Sequence, residues 1–206
     1  GSSLEALKDQ GTIVRRGRPY MADWERLNRN PIGTPSGKIE LYSERYAEAG
    51  LDPLPVFVPP IEGPSGMYRL LYGRSPVHTF ARTHNNPILM EAHGENGVWI
   101  STTEAARLGV RHNEYVWLEN QDGAREGPVR AYVTERIRND CVYLVHGFGH
   151  KAPLLRIANG RGASDTHLQT RYDLDPVSGG AGLRNNWVKL VKGAPDPQHP
   201  PVAWLA

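Results

Sequence analysis

The densest run of side chains able to grip an anion lies from Gly73 to Pro87, in Gly-Arg-Ser-Pro-Val-His-Thr-Phe-Ala-Arg-Thr-His-Asn-Asn-Pro. Arg74 and Arg82 offer planar guanidinium forks, His78, His84 and Asn85 offer ring or amide donors, and Thr83 adds a hydroxyl. Gly73 and the prolines force an exposed loop, and this donor set suits phosphate oxygens and base edges. The plain alternative is an ordinary polar loop.

Two further clusters follow. Val145-His146-Gly147-Phe148-Gly149-His150 comes directly after an apolar run, where glycines let backbone approach a ligand closely. A zinc site using His146 and His150 would need both rings on one helix face, and the two intervening glycines argue against that helix. A glycine turn with incidental histidines is the simpler reading. The third cluster, Gly160 to Gly182, contains Asp165 and Thr166, then Asp173 and Asp175. Asp173 and Asp175 could pair as catalytic carboxylates, but Asp175-Pro176 and Ser178-Gly179-Gly180 are turn chemistry, which is preferred. The sequence has no Gly-x-Ser-x-Gly elbow, no phosphate-loop Gly-Lys-Ser/Thr, no dinucleotide glycine fingerprint and no His-Glu-x-x-His. No self-contained catalytic apparatus is visible.

The elements that must hold these clusters read as mainly β. Gly and Pro make 39 of 206 residues, as 22 and 17, and they punctuate short apolar runs. Strands are predicted at Tyr68–Tyr72, Val98–Ile100, Tyr115–Glu119, Val129–Thr134, Val142–Val145 and Trp187–Val191, with an Asp122-Gly123 hairpin turn between the third and fourth. A short helix is predicted over Ser101–Gly109, with hydroxyl caps, Glu104 in its first turn and a glycine stop. Six strands without long intervening helices predict a closed or nearly closed β-barrel rather than a doubly wound parallel sheet.

The first 64 residues read as an N-terminal arm and proline-rich linker, and 65–206 as the barrel domain. The arm holds a short helix at Leu4–Gln10, an Arg-rich polar stretch, a Thr34-Pro35-Ser36-Gly37 turn feeding the alternating run Lys38–Tyr42, and a helix from Ser43 to Gly50. Pro53, Pro55, Pro59, Pro60 and Pro64 keep the linker extended.

A net charge of +2 from 24 basic and 22 acidic residues argues against a broad nucleic-acid or anionic-membrane footprint. Arginine outnumbers lysine 19 to 5, which genome composition alone explains. No run approaches the roughly 18 apolar residues of a membrane span, so no direct membrane insertion is expected. A single cysteine, Cys141, excludes an intrachain disulfide framework and an iron–sulfur cluster held by these residues alone. Opening an apolar strand, it reads as a small buried hydrophobe and not as a metal ligand. The opening Gly-Ser-Ser without Met, and no charged-then-apolar leader, lead us to expect a piece of a longer chain with no targeting signal of its own.

The order of the clusters carries more than any one of them. Thr34-Pro35-Ser36-Gly37-Lys38-Ile39-Glu40, the proline linker, a strand ending Gly73-Arg74, His78, Arg82-Thr83-His84-Asn85-Asn86-Pro87, His146-Gly147-Phe148-Gly149 and Asp175-Pro176-Val177-Ser178-Gly179 follow in sequence. This order resembles the C-terminal molybdopterin dinucleotide-binding domain of the dimethyl sulfoxide reductase superfamily, most closely polysulfide and thiosulfate reductase catalytic subunits, from about Leu4 to Lys192.

The resemblance implies a six-stranded double-psi β-barrel and, as cofactor, bis(molybdopterin guanine dinucleotide) with molybdenum or tungsten. By position, Gly73, Arg74, His78, Arg82, Thr83, His84 and Asn85 would approach pterin and diphosphate, with His146 and Gly147 beside them and Arg82 and His146 tuning the pterin. Family members commonly carry Asn two positions before Leu168; here Thr166 stands there, lacking the amide pair, and Asp165 is expected to substitute at the base edge. The resemblance further implies a [4Fe–4S] cluster and the metal's protein ligand in the remainder of a longer catalytic chain. It also implies an iron–sulfur electron-transfer subunit, a membrane anchor subunit, and a parent enzyme in the periplasm or on the outer face of the cytoplasmic membrane. The rival from another class is a stand-alone double-psi barrel that binds a nucleotide or a protein without redox chemistry.

Overall fold

The computed structural model describes residues 3–12 and 33–194. Contacts divide the chain into two units, Gly1–Val58 and Pro59–Ala206. The Arg-rich stretch expected before residue 30 lies outside the described residues.

In the first unit, Ser3 and Ser43 cap helices α1 (Leu4–Gln10) and α2 (Glu44–Glu48), their hydroxyls accepting from Ala6 N–H and Tyr46 N–H. Gly37 N–H closes the expected turn on Thr34 O at 3.0 Å. The alternating run Lys38–Tyr42 forms no strand. Thr34 Oγ1 donates to Lys38 O, and Glu40 Oε1 accepts from Ser36 N–H, so this segment satisfies its polar groups locally.

In the second unit, β1 (Tyr68–Gly73), β2 (Val98–Ser101), β3 (Tyr115–Asn120), β4 (Arg125–Thr134), β5 (Cys141–Val145) and the last strand of the chain, Trp187–Lys192, are the six predicted strands. A two-stranded ribbon, β6 (Asp173–Leu174) with β7 (Ala181–Gly182), precedes that last strand, β8. The six close into a barrel in the order β1-β5-β2-β4-β3-β8. Two pairs are parallel, β1 with β5 and β2 with β4, and the other contacts are antiparallel, the interleaving expected of a double-psi barrel.

Closure abolishes free edges and turns alternate side chains inward. Leu70, Val98, Ile100, Val116, Leu118, Val129, Ala131, Val142, Leu144 and Val188 fill the interior, each at most 2% exposed. Burial of each Leu, Ile or Val contributes about 1.5–3 kcal/mol. Helix α3 (Pro87–Ala92) starts on Asn86, whose Oδ1 accepts from Ile88 and Leu89 N–H, with Pro87 preset for the first turn. Helix α4 (Thr102–Leu108) is the predicted helix; Ser101 caps it and Gly109, at φ +64°, ends it. Among the described residues, no helix is long and apolar enough to cross a membrane.

Candidate functional site

Strands β1 and β5 run parallel and stop together, Gly73 opposite Val145. The loops that follow them therefore leave the barrel at the same end. His146 N–H donates to Gly73 O at 2.8 Å, extending the ladder by one bond and tying the first polar cluster to the second.

The third cluster joins them through Asp165. Ser164 caps the four-residue helix α5 (Asp165–Leu168), and the Asp165 carboxylate is 1% exposed. Its Oδ2 accepts from His146 Nδ1 at 2.8 Å and from Gln169 Nε2 at 3.0 Å, while Oδ1 accepts from Gly147 N–H at 3.3 Å. A carboxylate can only accept here, so Nδ1 carries the His146 proton and Nε2 is the end left to other partners.

Beneath the loops lies a stack of imidazoles. His78, 6% exposed, sits 4.1 Å from His84 and 5.8 Å from His93, ring centre to ring centre. The Phe148 ring packs against all three, and His150 lies 5.4 Å from His84. His78 Nε2 donates to the His93 carbonyl at 2.7 Å, and its Nδ1 meets the Thr83 hydroxyl at 3.2 Å. His84 is 1% exposed, and its Nε2 has no hydrogen-bond partner among the described residues. Burial pushes the His84 imidazole down to about 4, and His78 adds to that push.

Two other buried groups fasten these loops. Asn96, fully buried, donates to Val145 O and Ala163 O and accepts from Ala163 N–H. Glu126, 4% exposed, accepts from Lys151 Nζ, His167 Nδ1 and Ser164 N–H.

At the glycines of the second cluster, one loop packs closely on another. A Cβ on Gly147 would sit 2.7 Å from Phe80 O, and one on Gly149 only 2.3 Å from Ser164 N. These glycines let loop approach loop. Gly73 is similarly tight, 2.8 Å from Tyr143 Oη.

The expected site residues accordingly sort into two groups. His78, His84, Gly147 and Asp165 are buried, and the Asp165 carboxylate is engaged by the protein donors given above. Arg74, Arg82, Asn85 and Thr166 are exposed, and His146 is partly so, with 27% of its side chain accessible. Asn85, itself exposed, uses Oδ1 to accept from Ile157 and Ala158 N–H. Arg74 Cζ lies over the Phe80 ring, 4.0 Å from its centre, and that ring meets His146 edge-on at 5.9 Å. Neither Arg74 nor Arg82 has an acidic partner among the described residues. Arg74 and Arg82 thus give this loop an exposed, positively charged rim, of the chemistry that suits an anion.

Sequence reasoning missed Phe80, Asn96 and Glu126. The first is an exposed aromatic inside a polar run; the others are single polar residues whose partners lie far along the chain. Among the described residues, no group of three or more His, Cys, Asp or Glu side chains is placed to hold a metal ion. Cys141 is 7% exposed and burial pushes its thiol up, away from ligation.

The molydopterin dinucleotide binding domain family model matches residues 68–187, which spans the whole barrel up to the start of β8. The chain belongs to this family. It is 34% identical over 152 residues to the thiosulfate reductase molybdopterin-containing subunit PhsA of Salmonella typhimurium, covering 71% of this chain and 19% of that one. It is 27% identical to dimethyl sulfoxide reductase DmsA of Escherichia coli, covering 92% of this chain and 25% of that one. The fold is shared with acetylene hydratase from Pelobacter acetylenicus at a TM-score of 0.63 and 22% identity, covering 82% of this chain and 28% of that one. The chain thus spans about a fifth to a quarter of these curated relatives.

Proposed function

We propose that this chain holds bis(molybdopterin guanine dinucleotide), carrying molybdenum or tungsten, within the catalytic chain of a reductase for polysulfide, thiosulfate or a related sulfur compound. The observation that carries this reading is the pair Arg74 and Arg82, exposed and without acidic partners among the described residues, on the loop that follows β1. Likeness to a thiosulfate reductase subunit supports the substrate class. When bound, such a cofactor supplies the redox chemistry through its metal, and the protein supplies binding, orientation and electrostatics.

The chain's own residues have distinct tasks in that reading. Arg74 and Arg82 neutralise phosphate charge, and Asn85 and Thr166 offer hydrogen bonds to the nucleotide end. His146, its tautomer set by Asp165, would offer Nε2 as a hydrogen-bond partner to the pterin. His78, His84, Asn96 and Glu126 keep the loops in register beneath. The metal's protein ligand and a [4Fe–4S] cluster belong to the remainder of the catalytic chain, and an iron–sulfur subunit with a membrane anchor exchanges electrons at the periplasmic side.

The test is guanine nucleotide released by acid from the purified protein. The Arg74→Ala/Arg82→Ala double variant should hold at least about tenfold less than wild type, since each phosphate contact is charge-assisted. Equal content in variant and wild type would remove the rim from the binding site.

A further inference from the structure

Phe80 has a backbone φ of +50°, one of two non-glycine residues with positive φ among those described; the other is Asn113. Asparagine tolerates that region, while a bulky aromatic there is an outlier. The conformation is set locally: Arg82 N–H closes a turn onto Thr79 O at 3.1 Å, placing Phe80 at the position where glycine or asparagine ordinarily sits. The backbone at 80–81 is also pressed against Gly147, whose missing Cβ is what makes room for it.

Burial does not repay this strain. Phe80 is 40% exposed and belongs to neither apolar core cluster of the domain. Its ring does something else: it carries the Arg74 guanidinium on its face at 4.0 Å and meets the His146 ring perpendicularly at 5.9 Å. One exposed ring therefore fixes the two outward donors that come from different loops, and strain kept at an exposed position marks a site where the geometry serves binding.

We propose that Phe80 is a positioning residue of the dinucleotide site, held in a strained turn so that its ring sets the Arg74 guanidinium and the His146 imidazole at a fixed separation for a phosphate-bearing planar ligand. This inference rests on the cofactor-binding reading above. It predicts an unusual separation of effects. Phe80→Gly relieves the backbone and removes only a half-exposed ring, so the barrel keeps its strength while the ligand site loses its geometry.

The experiment compares the natively purified protein, wild type, Phe80→Gly and Phe80→Tyr, by two readouts. One is pterin and metal retained after dialysis in high salt; the other is amide hydrogen-exchange protection of β1 and β5. Expected is a loss of retention of roughly tenfold in Phe80→Gly, the scale of a lost ring–cation contact. Protection of β1 and β5 should be unchanged or raised, and Phe80→Tyr should restore retention. Phe80→Gly retaining cofactor like wild type would overturn the inference while leaving the binding reading intact. Loss of protection together with retention would show a structural ring, and also overturn it. Wild-type protein that never carries pterin or metal would overturn the binding reading itself.

Discussion

His146 Nδ1 donates to the buried Oδ2 of Asp165 at 2.8 Å, and the neighbouring Gly147 N–H donates to the other oxygen at 3.3 Å. One carboxylate, 1% exposed, thereby clamps two successive residues of the loop after β5 across 19 positions of sequence. Asp165→Asn should destabilise the protein by about 1–3 kcal/mol, because an amide presents hydrogens to donors that need acceptors. Thermal unfolding of the variant measures it; an unchanged midpoint would mean the clamp carries no weight.

Gly147→Ala should cost about 2–4 kcal/mol, combining a φ of +101° with a Cβ 2.7 Å from the Phe80 carbonyl. Backbone is on the receiving side, so no side-chain rotation relieves the contact. Chemical denaturation compared with Gly123→Ala, a glycine with open space around it, separates crowding from strain.

Asn96→Ala leaves Val145 O, Ala163 O and Ala163 N–H without their buried partner. Unsatisfied buried groups cost about 1–3 kcal/mol each before any water enters. Hydrogen exchange should quicken at Ala163 before it quickens in the barrel strands; uniform exchange would contradict a local fastening.

The histidine stack makes the loops acid-sensitive. His84 is held near 4 in the fold, below its unfolded value of about 6.5, chiefly by burial and by His78, and its other imidazole neighbours, His150 and His93, push the same way. Between those pH values the unfolded chain binds the extra proton, so stability falls as pH drops through that window, by roughly 3 kcal/mol in full. His84→Phe should flatten the slope of unfolding free energy between pH 6.5 and 4; a wild-type slope in that variant would acquit His84.

Much of this was legible. The six barrel strands follow from short apolar runs cut by Gly, Asn and Asp, and the α4 helix from its caps, because both signals are local. Helix α3 was not read, because Asn86 and Pro87, its cap and first turn, close a polar run that looks like one continuous loop. What stayed out of reach was partnership: Asp165 with His146, Asn96 with Ala163, Glu126 with His167. Each joins a polar side chain to a group 19 to 67 positions away, and no periodicity records such a pairing. The burial of His84 and Gly147 was out of reach for the same reason, since residues of a polar run become interior only once the loops fold onto each other.

The most direct test of the central claim is elemental analysis of molybdenum and tungsten in the protein captured, undenatured, from its native host with an antibody against this chain. One of the two metals is expected at close to one atom per molecule, accompanied by guanine nucleotide. Intact protein free of both metals would contradict it.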